Sequence, residues 1–143
     1  MATIVLLAFK DGDREGLIKP LEAAGHRVAV TEPKDPDFRL VLRGVAKLDV
    51  IVVDLSKKAD HGRECAGWIC MQRRYRAIPL LLTGVPDGDE GLTRAKVPCG
   101  RRVSAPHIDK AVAHALSGTA PAKGPTGKPG SLPDASRSPG AFK

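Results

Sequence analysis

The residues best placed to do chemistry are a carboxylate and a hydroxyl, each closing an apolar run. LDVIVVDLS, residues 48–56, ends its aliphatic stretch on Asp54, and AIPLLLT, residues 77–83, ends on Thr83. In an open parallel α/β sheet, ligands and reactions gather outside the carboxyl ends of the strands. An acid there is suited to ligating a hard cation or to accepting a phosphoryl group, and a neighbouring hydroxyl to hydrogen-bonding the product. The plainer alternative is structural: a strand-end Asp accepts N–H bonds from its own loop, and Thr fits any strand end.

The remaining reactive side chains form weaker patterns. Cys65, Cys70 and Cys99 are odd in number and lack the C-x-x-C spacing of a zinc or redox site, and residues five apart do not share a helix face. The expectation is unpaired buried thiols in a reducing compartment. Asp60 and His61 adjoin the loop after Asp54 and read as an exposed turn. Arg73, Arg74 and Arg76 read as a solvated helix end, where cations favour the helix dipole. KDGDREG and PDGDEG carry neither the ligand pattern of a calcium loop nor a phosphate-cradling glycine fingerprint, which leaves little for a nucleotide- or flavin-binding enzyme.

Strands and helices alternate to position these groups. Residues 3–9 form a continuous apolar strand bounded by KDGD, and its length is far below a membrane span. It reads as a strand and not a leader. Leu17, Ile18, Leu21 and Ala24 recur at helical spacing, with Pro20 inside and Gly25 at the end. Residues 27–31 give a second strand. Asp35-Pro36-Asp37 is expected to cap a helix with Phe38, Leu40, Val41 and Val45 on its apolar face. The third strand covers 49–55, a helix covers 62–75, and the fourth strand covers 78–83. Five Pro and Gly residues between 85 and 101 leave room only for a short helix at 90–96. A brief fifth strand at 102–105 and a helix at 108–116 complete the pattern, which implies a parallel sheet with helices on both faces.

Composition bounds the partners. Of 143 residues only three Phe, one Tyr and one Trp are aromatic, which is poor stock for stacking on bases. Of the net charge of +7, part lies beyond residue 117, where Lys123, Lys128, Arg137 and Lys143 face Asp134 alone. Pro121, Pro125, Pro129 and Pro133 recur there amid Gly, Ser and Lys. The reading is a folded domain over 1–117 and a disordered tail over 118–143, with nucleic-acid contact limited to weak electrostatics of that tail.

With the elements placed, residues 2–116 resemble the receiver domain of bacterial response regulators. LDVIVVDLSKKADHG is similar to the receiver's third strand and loop, with Asp54 as phosphoacceptor and Gly62 as the loop glycine. AIPLLLT is similar to the fourth strand, with Thr83 as the phosphoryl-contacting hydroxyl. SAPHIDKAV is similar to the turn after the fifth strand, with Pro106 in the proline place, and LEAAGHRV to the first helix running into the second strand. The resemblance implies a flavodoxin-like, doubly wound, five-stranded parallel sheet, here with a short fourth helix.

It also implies an Mg²⁺ site made by an acid pair after the first strand, together with a lysine and a switch aromatic near the fifth. Those places fall near Ala8, Phe9 and Lys10, on Ala105 and on Arg102. Asp11 and Asp13, with Asp54, remain as weak metal ligands. Lys10 is expected to stand where Mg²⁺ would and to pair with Asp54. The resemblance thus implies a cytoplasmic, non-enzymatic pseudo-receiver that needs no cofactor and works by contact with signalling proteins. The alternative is a working phosphoacceptor, with Mg²⁺ and a histidine kinase as donor, modified on Asp54.

Overall fold

The computed structural model describes residues 2–12 and 14–117. The tail expected over 118–143 lies outside the described residues. In chain order the elements are β1 (Thr3–Leu7), α1 (Arg14–Ala23), β2 (Arg27–Thr31), α2 (Asp37–Gly44), β3 (Val50–Asp54), α3 (Ala59–Met71), β4 (Leu80–Thr83), α4 (Glu90–Lys96), β5 (Gly100–Arg102) and α5 (Ile108–Leu116). A compact unit ends at Ala111, inside α5, and the described part of the unit that follows is the rest of that helix.

The strands form one sheet in the order β2-β1-β3-β4-β5, every neighbouring pair parallel. This is the flavodoxin-like doubly wound arrangement. Burial on both faces is what permits the near-continuous Val, Ile and Leu runs of β1, β3 and β4. Val5, Leu7, Ile51, Val53, Leu80 and Leu82 join Phe38 and Leu42 of α2 and Cys65, Ala66 and Ile69 of α3 in one apolar cluster. The alternate residues Ile4, Leu6, Val52 and Leu81 are buried as well, and α1 adds Leu17 and Leu21. Strand alternation assigns them to the opposite face.

Several details depart from the sequence reading. In α2 the inward residues are Phe38 and Leu42, whereas Leu40 is 58% exposed. Helical spacing joins 38 to 42 and turns 40 outward. Asp35 does not cap this helix; it forms an ion pair with Arg39 at 2.7 Å. α3 begins at Ala59, because Lys58 adopts a left-handed conformation (φ 47°) that ends the loop early. It stops at Met71, and Arg73–Tyr75 make a 3₁₀ turn that buries Tyr75 and leaves Arg73, Arg74 and Arg76 exposed. Asp60 and His61 thus lie in the first turn of a helix.

β5 occupies 100–102, two residues ahead of its expected start. Gly100 permits this, since a Cβ there would sit 2.7 Å from Leu82 Cδ1 and 2.9 Å from Val97 Cγ1. The cysteines depart furthest. Cys70 and Cys99 are joined by a disulfide, and only Cys65 among them is a free, buried thiol. The bond is tertiary: the chain after α4 returns across the end of α3, a proximity that spacing within one helix could not reveal.

Candidate functional site

Asp54 is the last residue of β3 and lies beside Thr83, the last residue of β4. Both are buried, at 4% and 0% exposure. Thr83 Oγ1 donates to Asp54 Oδ1 at 3.4 Å. Two residues on, Ser56 turns back to the same carboxylate. Its N–H donates to Oδ1 at 3.0 Å and its hydroxyl to Oδ2 at 2.8 Å. A buried carboxylate requires such donors, and a local turn supplies them at small entropic cost.

Two glycines close over the acid. A Cβ on Gly12 would stand 3.0 Å from Asp54 Oδ2, and one on Gly84 would stand 2.9 Å from Asp54 Oδ1. Gly84 also has φ +65°, a conformation that side chains rarely adopt. The loops after β1 and β4 therefore pack backbone against the carboxylate, where bulkier residues would hold them off.

The register of β1 on β3 pairs Leu7 with Val53, so Ala8 comes level with Asp54 one residue further on. Ala8 and Phe9 are buried there in place of an acid pair. Over the Phe9 ring stands the ammonium of Lys58, 5.1 Å from its centroid, and His61 meets the ring edge-on at 6.0 Å. A cation at this range is attracted by the negative face of the ring. Lys10 does not play the part expected of it. It is exposed, its backbone N–H donates to Glu32 at 3.2 Å, and among the described residues no ion pair joins it to Asp54. That N–H bond, with Lys34 nearby, holds the Glu32 carboxyl below its ordinary range.

The described residues do not fit a divalent cation at Asp54. A hard cation takes several oxygen ligands, whereas both oxygens of Asp54 are engaged by Ser56 and the level positions are apolar. Among the described residues no three His, Cys, Asp or Glu side chains converge. Asp11 is exposed, and Asp13 lies outside the described residues.

On the far side, Ala105 and Pro106 sit in a 3₁₀ turn, Ala105–His107. With Gly84, Val85, Arg102, Val103 and Ser104 they line an open groove of about 600 Å³. Arg102 is exposed and reaches Glu90 at 3.8 Å. The structure sets Asp54 beside Thr83 and places Pro106 in the groove next to Gly84, whereas Ser56, Gly12, Gly84 and the Lys58–Phe9 stack were not singled out by sequence. The Asp-x-Ser spacing was the available signal for Ser56, since it favours a side-chain-to-backbone turn.

No known family model matches the sequence, and no curated protein matches it. Solved structures do match the fold. A response regulator from Thermotoga maritima superposes with a TM-score of 0.64 at 14% identity, over 82% of this chain and 98% of its own. The chemotaxis response regulator CheY4 of Vibrio cholerae gives a TM-score of 0.59 at 21% identity, over 82% of this chain and 97% of its own.

Proposed function

We propose that the chain is a receiver-like signalling module that acts by protein–protein contact, as a pseudo-receiver, without Mg²⁺-dependent phosphorylation of Asp54. One observation carries this reading. Each oxygen of the carboxylate that would take the phosphoryl group already accepts a hydrogen bond from Ser56, and the neighbouring strand end presents Ala8 and Phe9, the latter stacked by Lys58. An acyl phosphate needs a cation to neutralise its oxygens, and among the described residues no cluster of three His, Cys, Asp or Glu side chains is there to hold one. In this reading the module is no enzyme, carries no cofactor and meets its signalling partners in the cytoplasm. No helix among the described residues is long and apolar enough to cross a membrane.

The second reading, a working phosphoacceptor fed by a histidine kinase, draws support from Thr83 Oγ1 at 3.4 Å from Asp54. Mg²⁺ with beryllofluoride, a mimic of the phosphorylated carboxylate, separates the two. The pseudo-receiver is expected to keep its Tm and the fluorescence of Trp68 at millimolar Mg²⁺. A rise in Tm that Asp54→Asn abolishes would establish the phosphoacceptor instead.

A further inference from the structure

The Cys70–Cys99 bond ties a segment that is otherwise thinly anchored. β5 has three residues and pairs with β4 alone. α4 has seven residues, and three ties join α3 to the segment from Asp89 to Cys99, beside the buried Val97. The first is Arg63, only 4% exposed, which donates to Asp89 at 3.1 Å and also holds Asp60. The second is a close backbone approach, since a Cβ on Gly67 would stand 2.8 Å from the Lys96 carbonyl oxygen. The third is the disulfide, the one covalent link among them. The segment also keeps a flaw: Thr93 is buried with its hydroxyl unpartnered among the described residues.

The bond is open to attack. Cys99 is exposed and Cys70 is half-buried. Lys96 and Arg101 flank Cys99 in sequence, and Arg73 follows Cys70 by three residues. Sequence neighbours of this charge raise the local positive potential, which favours a departing thiolate. Cys65, by contrast, is buried, and burial pushes its thiol up to about 12, which leaves it inert.

We propose that Cys70 and Cys99 are a redox-active pair, reduced by a dithiol, and that its closure holds α4 and β5 against α3. A thiolate of the reductant attacks Cys99 Sγ, and the S–S bond breaks with its electron pair leaving on Cys70 Sγ, which takes up a proton. The reductant's second thiolate then attacks its own sulfur in the mixed disulfide and releases Cys99, which is protonated in turn. Two electrons and two protons pass to the protein, and the reductant leaves as its disulfide. The inference goes beyond the proposed function and does not depend on the state of Asp54.

The test treats the folded, full-length chain with millimolar dithiothreitol, counts alkylated thiols by mass, and follows amide exchange with and without the reductant. The expected result is two newly alkylated cysteines without unfolding. Exchange across residues 90–102 should rise at least tenfold while residues 50–58 stay unchanged. A Cys70→Ser/Cys99→Ser variant should show the fast exchange with or without dithiol. The proposal is overturned if both thiols alkylate in protein never exposed to reductant, if reduction requires denaturant, or if exchange over 90–102 is the same in both states.

Discussion

The Asp54 pocket and the α3–α4–β5 edge solve opposite problems with opposite means. At the pocket a buried acid is satisfied by residues close in sequence: Ser56 lies two positions away and supplies two of three donors. At the edge a short helix and a short strand are held by partners far apart in the chain, Arg63 with Asp89 and Cys70 with Cys99. The centre of the sheet is held by packing and local hydrogen bonds. The edge needs long-range ties, because three strand residues bury too little to anchor themselves.

That contrast is sharpened or broken by perturbing each region in turn. Replacing Cys70 and Cys99 by Ser is expected to have the largest effect. A cross-link between residues 29 apart removes unfolded-state entropy worth about 3.6 kcal/mol, so the denaturation midpoint should fall accordingly. Equal midpoints for variant and oxidised parent would mean that the bond does not stabilise the fold. Gly67→Val comes next, because its side chain must push against the Lys96 carbonyl. Overpacking of this kind costs about 1–3 kcal/mol, and exchange measurements should place the loosening in α4 and not in β3.

Smaller effects belong to the pocket. Ser56→Ala and Asp54→Asn should each cost about 1.5 kcal/mol, the low end for a hydrogen bond to a charged group. Because they share one contact, the double variant should cost less than their sum. Strict additivity in chemical denaturation would show that the Ser56–Asp54 turn does not hold the pocket.

At neutral pH the smallest effect concerns Cys65, whose contribution changes only in alkaline solution. Its ordinary pKa of 9.0 is raised to about 12, chiefly by burial and then by the charges of Asp35 and Glu64. Between those values the folded protein keeps a proton that the unfolded chain releases, so stability falls as pH rises through this window. Cys65→Ala should flatten that fall, and native protein at pH 8 should leave Cys65 unalkylated.

Much of the fold was legible because local rules agree with it. The aliphatic runs of β1, β3 and β4 announce buried parallel strands, and the Pro and Gly between 85 and 101 leave room for no helix longer than α4. β5 was misplaced because Gly100 reads as a turn in sequence, whereas in the fold it is the residue whose missing Cβ admits Leu82 and Val97. Leu40 reads as inward because it is apolar like Phe38 and Leu42, though the helical period turns it out.

At the site, Asp54 and Thr83 were visible as strand ends. The cation near the first strand end was misassigned, since Lys10 adjoins Phe9 in sequence but Lys58 covers it in space. The disulfide is invisible in sequence for the same reason, as it joins the end of α3 to the link between α4 and β5, which meet only after folding.

The shortness of β5 has a consequence for life in a crowded solution. An outer strand offers unpaired N–H and C=O groups to any extended chain that drifts past, and long apolar edges invite such pairing. This one presents three residues, two of them exposed arginines, so a second molecule docking there would bring like charges together. The same brevity that leaves the edge in need of bracing makes it a poor template for aggregation.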